Sequence, residues 1–287
     1  MLRARELPTV DARMKPAVFE FVRARTLSEA TTILLESEGA ARVVAGAQSL
    51  GPMLNLRLVQ PRILVDVTGI AELTEIDDRA DAVTLGACIT TANIEDGRLP
   101  GRGLQPLSVV AGRIAYRAVR NRGTIGGSVC HADPAADWIS ALCALGAQCV
   151  IAGPGGRRRL AVEDFVTGAF ENALAPGELL QGIRIPRLSA HGHWGYNKLC
   201  RKAGEFALAI GAVVDDRERN SFRAVIGATR GRPIIVTEAR EIRRTDGTGL
   251  DAIAVTRLFD RHGITDRATR RQHAAVLARA LDQAAGA

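Results

Sequence analysis

The sequence predicts an α+β protein of more than one unit, and three observations carry that reading. Short β-branched runs alternate with amphipathic stretches through the first two thirds of the chain, the pattern of strands and helices packed on one another. Near residue 187 the order changes to a run of strands followed by a run of helices, the mark of a separate α+β unit. The length, 287 residues, suffices for two or three compact units.

The elements follow in order. PAVFEFVRA at 16–24 alternates and suits a first strand. Thr26 or Ser28 can cap the helix TLSEATTILLESEG, and Glu29, three residues after Thr26, completes a capping box. Gly39 is its C-cap. ARVVAG, PRILVDVTGI and AVTLGACIT read as strands rich in β-branched residues. LSVVAGRIAYRAVRN at 107–121 has helical spacing and is expected as one helix leading into a turn at Gly126 and Gly127. AADWISALCALGA after Pro134 reads as a largely buried helix. QCVIAG, PGGR and RRRLAV form a hairpin pattern, and LLQGIRIP at 179–186 is a strand stopped by Pro186. RLSAHGHWG is a linker. GYNKLC, ALAIGAVVD and FRAVIGAT are three further strands, the last two joined through DRERNS. LDAIAVTRLFD and ATRRQHAAVLARALDQA are closing helices.

Composition narrows the class. Hydrophobic content of 47% with 24% charge is that of a folded globular chain, not a disordered one. Aromatics make up 4%, with two Tyr and two Trp, too few for a base-stacking nucleic-acid surface. The net charge is +7, but the arginines are scattered among acids; the densest basic stretch, 230–271, is a candidate protein-docking surface. Five cysteines form no C-x-x-C pair and fit no zinc or iron–sulfur spacing, which points to buried thiols in a reducing cytoplasm. No apolar run reaches the roughly 18 residues of a membrane span. MLRARELPTVDAR is polar and lacks the apolar core of a secretory signal. MKPAVFEFVRA reads as a second start at Met14, so residues 1–13 are expected to be a flexible extension.

Two glycine-bearing stretches raise a functional question. A phosphate needs several backbone N–H donors converging on it, and a Cβ gets in the way. Gly126 and Gly127 can supply one such anion nest; Gly46 with Ala47, Gln48 and Ser49 can supply another. Ser49, Thr124 and Ser128 add hydroxyls. Two nests suit a ligand with two phosphates, a dinucleotide. Taken singly, each stretch reads as an ordinary turn. G-x-G-x-x-G and the P-loop lysine are both absent, so the site is not of those kinds. Asp133 is either a turn or N-cap residue before Pro134 or a carboxylate for ribose or polyol hydroxyls; Asp137, one turn into the helix, is either a carboxylate suited to the helix dipole or a ligand on the same side as the glycines. No catalytic acid–base pair or nucleophile stands out. His191 and His193 read as exposed turn residues, and no metal site is expected in this chain.

AGAQSLGPMLNLRL at 45–58 and TIGGSVCHADPAAD at 124–137, at this separation, resemble the FAD-binding medium subunit of molybdenum hydroxylases, the relatives of xanthine dehydrogenase and aerobic carbon monoxide dehydrogenase. MKPAVFEFVRARTLSEA and YNKLCRKAGEFALAIGAVV resemble the same family, so the likeness spans about residues 14 to 280. It implies an FAD-binding fold of the vanillyl alcohol oxidase type: an N-terminal subdomain, 14–76, and a central one, 77–188, with the flavin between them, and a C-terminal flavoprotein domain, 189–287. It implies that Val44, Ala45, Gly46, Ala47, Gln48, Ser49 and Leu50 line the pyrophosphate and ribityl chain. Gly123, Thr124, Ile125, Gly126, Gly127 and Ser128 would close over the same phosphates. Asp133 and Asp137 would take hydroxyls, Asp137 one of the ribityl chain. Leu180 would pack near the adenine or flavin ring, and Tyr196 and Lys198 near the isoalloxazine. The chain departs from the family pattern at Ala47, where a second glycine is usual, and at Glu205, where Asp is usual.

The resemblance also implies partners. A large subunit would hold the molybdenum cofactor and a small one two [2Fe-2S] clusters. This chain would take electrons from the clusters onto FAD and pass them to an external acceptor, within a dimer of heterotrimers. Three other readings remain open: a self-contained FAD-dependent oxidoreductase of the same fold, a basic nucleic-acid-binding module, and a flavin-free structural subunit.

Overall fold

The computed structural model describes residues 15–100 and 103–286. The expected extension and the Met14 start lie outside the described residues.

The first unit runs β1 (Glu20–Arg23), α1 (Leu27–Glu36), β2 (Ala41–Val44), α2 (Leu50–Asn55) and β3 (Ile63–Asp66). Its three strands are parallel in the order β1-β3-β2. Parallel strands need crossovers, and the two helices supply them. Thr26 caps α1 by accepting from the Glu29 N–H at 3.1 Å, and the Glu29 carboxylate accepts from the Arg25 N–H at 2.7 Å. The expected capping box is present, with its return bond landing one residue early. Asp66, buried at the end of β3, accepts from the Thr68 N–H and hydroxyl and from Arg23 Nε. Burial raises its carboxyl, but these bonds win and hold it below the usual carboxylate range.

The central unit adds β4 (Ile76–Asp78), β5 (Ala82–Gly86), α3 (Thr91–Glu95), α4 (Gln105–Ala111), α5 (Arg117–Arg120), α6 (Ile125–His131) and α7 (Asp137–Ala144). It continues with β6 (Gln148–Gly153), β7 (Gly156–Ala161), α8 (Val162–Phe165), the short pair β8 (Val166–Gly168) and β9 (Glu171–Asn172), and β10 (Leu179–Pro186). Its main sheet is antiparallel, in the order β4-β5-β10-β6-β7. Alternation sets its faces: Val83, Leu85, Cys149, Ile151, Ile183 and Ile185 are fully buried on one side.

Two expectations fail here. Residues 107–121 are not one helix: α4 stops at Ala111, and Ala115 adopts a left-handed φ of 45° before α5 starts. The reason is a side chain. Arg120 donates to the carbonyls of Ile114 and Ala115, at 2.8 and 2.7 Å, in place of the helical ladder. Gly126 and Gly127 do not form a turn either. They are the second and third residues of α6, behind the cap Thr124.

The last unit has β11 (His193–Leu199), β12 (Ala209–Asp216), β13 (Ser221–Gly227) and β14 (Ile234–Val236) as an antiparallel sheet in chain order, then α9 (Ala252–Arg261) and α10 (Arg267–Ala284). β14 was not expected; three residues after a proline are too short to show a period. α10 lies directly on the sheet. A Cβ on Gly211 would sit 2.5 Å from the Val276 carbonyl oxygen, and one on Gly195 1.9 Å from that of Ala280. The other face of the same sheet receives α7, where a Cβ on Gly227 would sit 1.9 Å from Ser140 Oγ. α7 thus belongs to the central unit by sequence and to both units by packing, and one apolar cluster runs through residues of all three units.

His273 on α10 is 1% exposed, lies 6.3 Å from the Phe259 ring, and has no hydrogen-bond partner at Nδ1 among the described residues. Burial pushes its pKa down. The unfolded imidazole binds a proton near pH 6.5, while the folded one resists until lower pH, so stability falls as pH drops below about 6.5. Urea unfolding at pH 7.5 and 5.5 should show this loss, and His273→Leu should flatten it.

Candidate functional site

The glycine-bearing stretches meet each other. A Cβ on Gly46 would lie 2.1 Å from the Arg122 carbonyl oxygen and 2.9 Å from Gly123 Cα, and one on Gly126 would lie 2.5 Å from Ala87 Cβ. These two glycines therefore let the loop after β2, the loop before α6 and the end of β5 approach backbone to backbone. Thr91 donates to the Gly123 carbonyl at 2.8 Å and Thr90 bridges Thr124, which completes the junction.

The two stretches differ in what they leave open. The N–H of Ile125 donates to Ile89, that of Gly126 to Ala87, and that of Gly127 to Thr124 Oγ1, all at 3.0 Å. The expected anion nest at Gly126 and Gly127 is thus corrected: its amides are consumed within the protein. Gly127 is exposed, and a Cβ there would meet only the Thr124 hydroxyl, so that position leaves an open surface without offering donors. In the other loop, the N–H groups of Ala47, Gln48, Ser49 and Leu50 have no partner among the described residues. Gln48 folds back, its Nε2 donating to the Gly46 carbonyl at 2.9 Å. Ala47 has a φ of 59°, so the left-handed turn survives the missing glycine at the cost of strain.

Asp133 accepts from the Ala135 N–H at 2.9 Å and closes the turn before α7. Leu180 is 1% exposed and its side chain belongs to the core. Val44 and Ala45 lead out of β2, and Ser128 lies one turn into α6.

Asp137, Tyr196 and Lys198 do come together. The Tyr196 hydroxyl donates to Asp137 Oδ1 at 2.7 Å, and Lys198 Nζ donates to Oδ2 at 2.9 Å. The Asp137 and Lys198 side chains are 5% and 4% exposed. Burial raises the Asp137 carboxyl, against the pull of Lys198 and Tyr196, and pushes the Tyr196 phenol well above its usual value. Arg113 completes the cluster: Nη1 donates to the Tyr196 carbonyl at 3.1 Å, and the Arg113 carbonyl accepts from Lys198 Nζ at 3.3 Å. Sequence reasoning missed Arg113, because an arginine between two helices carries no periodic signal.

One donor-bearing loop, a second glycine stretch whose amides are already taken and a buried polar cluster do not by themselves select one dinucleotide. Residues 17–188 match the family described as the FAD binding domain in molybdopterin dehydrogenase. The chain belongs to that family. The carbon monoxide dehydrogenase medium chain of Hydrogenophaga pseudoflava is 35% identical over 208 residues, covering 72% of each chain. Caffeine dehydrogenase subunit beta of Pseudomonas sp. (strain CBB1) is 32% identical over 225 residues, 77% of this chain and 76% of that one. The solved carbon monoxide dehydrogenase from Hydrogenophaga pseudoflava superposes with a TM-score of 0.84 at 29% identity, over 95% of this chain and 99% of that one. The chain is a FAD-binding medium subunit of the molybdenum hydroxylase type, an oxidoreductase component, and its α+β fold is that of the carbon monoxide dehydrogenase medium subunit.

Ala47→Gly should relieve the left-handed strain and raise stability by about 0.5–1 kcal/mol, the gain being reduced by the freer unfolded chain. Gly46→Ala should destabilise by about 3 kcal/mol, because the added methyl meets backbone that cannot move alone. Thermal melts of both variants against wild type check the two signs.

Proposed function

We propose that this chain carries FAD between its N-terminal unit, 14–76, and its central unit, 77–188, with 189–287 against the flavin. It takes electrons from [2Fe-2S] clusters of a small partner subunit and passes them to an external acceptor. A large partner holds the molybdenum cofactor and performs the substrate chemistry. The relatives named as subunits and medium chains support an assembly with other chains, and a dimer of heterotrimers is the arrangement proposed. A cytoplasmic location is supported by five free cysteines. Burial pushes the Cys88 thiol up to about 12, so it is held protonated and inert.

The observation that carries the reading is the run of amides from Ala47 to Leu50 left without partners among the described residues, in a loop that packs on residues 122–123 ahead of the open surface at Gly127. Successive N–H groups in a loop that begins a helix suit a pyrophosphate, so the residues present fit the group. Val44 to Leu50 would hold the phosphates from one side. Gly123 to Ser128 would close from the other by shape, through the side-chain-free surface at Gly127. Asp133 and Asp137 keep acceptor lone pairs for hydroxyls. Leu180 would support a ring from beneath through the core it belongs to. When bound, FAD supplies the electron transfer itself. Lys198, with its ammonium fixed by Asp137, would set a positive charge beside the ring, and Tyr196 would hold that carboxylate in place.

Absorbance spectra of the purified full-length chain, with and without added FAD, test the proposal. Flavin bands should survive gel filtration. Gly127→Leu, which adds bulk to the open face, should weaken FAD binding by about tenfold or more, and a melting temperature measured alongside separates that loss from the strain its Cβ puts on the Thr124 cap. Absence of flavin bands both alone and after co-expression with partner subunits would overturn it.

A further inference from the structure

We propose that Arg113 is a positioning residue of the cofactor site: its guanidinium holds Tyr196 and covers the Asp137–Tyr196–Lys198 cluster, and so sets the surroundings from which Lys198 acts. The inference rests on the reading of Lys198 as a neighbour of the flavin.

The loop between α4 and α5 is held far more firmly than a connector requires. Ala115 sits at a φ of 45°, a conformation that a residue with a Cβ keeps only when its surroundings impose it. Arg120 imposes it from one side, donating to the Ile114 and Ala115 carbonyls while Glu95 grips its guanidinium at 2.8 and 2.9 Å. Gly204 imposes it from the other. Ile114 bridges Gly204, and a Cβ there would lie 2.8 Å from the Ala115 carbonyl oxygen. The loop is thereby pinned to the central and the C-terminal units at once.

Arg113 is the residue of this loop that addresses both β11 partners of Asp137. Its guanidinium carbon lies 5.8 Å from the Tyr196 ring centroid, Nη1 donates to the Tyr196 carbonyl, and its own carbonyl accepts from Lys198. Tyr196 is 2% exposed, and the Lys198 side chain 4%. Arg113 itself is exposed, so its guanidinium is the layer that separates the cluster from water. An ammonium has three donors. Asp137 and the Arg113 carbonyl take two of those on Lys198, which leaves a third to offer a ligand acceptor. Without the guanidinium, water reaches the ion pair, the local dielectric rises, and the charge of Lys198 acts on its ligand more weakly.

The test compares wild type, Arg113→Ala and Arg113→Lys as full-length chains. It measures the FAD dissociation constant, the midpoint potential of the bound flavin and the melting temperature. Arg113→Ala should weaken FAD about fivefold and move the flavin potential to a more negative value, with little change in melting temperature. Arg113→Lys, which returns a cation over the Tyr196 ring, should restore most of the potential. Arg113→Gln takes the place of the alanine variant should that one fail to fold. An unchanged potential, or a potential lost alike in the alanine and lysine variants, would overturn the role. A wild-type chain and complex that bind no FAD would overturn the flavin reading itself.

Discussion

The rest of this structure depends on one buried ion pair, Asp137 with Lys198. Neither charge faces water, and an unpaired charge there would cost about 3–5 kcal/mol, a large part of a typical total stability of about 5–15 kcal/mol. The pair therefore dictates where its two elements lie. α7 must present its first turn to β11, and β11 must hold Tyr196 and Lys198 toward it. The C-terminal unit is consequently not an appendage. It is fastened to the central unit at the point where the polar cluster sits.

Glycines make that fastening geometrically possible. Gly227 lets α7 press against one face of the last sheet, and Gly195 and Gly211 let α10 press against the other. The helix axes come closer than side chains would allow, so the sheet is buried on both faces. The same economy of Cβ atoms brings the Gly46 loop onto the backbone at 122–123. Glycine here serves contact of protein with protein first. Of the two glycine stretches, the loop after β2 is the one whose amides, among the described residues, stay available to a ligand.

The resemblance and the geometry divide the explanation between them. Family membership identifies FAD as the ligand of the fold; the loops show how the chain is prepared for it. Ala47 illustrates the difference. Its identity alone cast doubt on the turn, yet the turn persists at positive φ. Ala115, Ala132 and Ala228 adopt the same region. Strain at a non-glycine residue is invisible in one sequence, because the residues that enforce it lie far away along the chain.

Much of the fold was legible in local signals. The capping box at Thr26, the hairpin through Pro154 and Gly155, the strand LLQGIRIP and the switch of pattern near residue 187 all depend on neighbouring residues, and each has its counterpart in the structure. The sequence by itself determined the fold class, most of the longer strands and helices and the two stretches that mark the family. The tertiary structure alone decided that residues 107–121 break into two helices, that the amides of Gly126 and Gly127 are spent internally while those of 47–50 find no partner among the described residues, and that Arg113 stands over Tyr196. Each of these rests on a contact between residues distant in sequence: Arg120 with Ala115, Gly126 with Ala87, Arg113 with Tyr196. Periodicity and capping report what a chain does to itself over a few residues; which backbone donors remain free is known only after every distant acceptor has been placed.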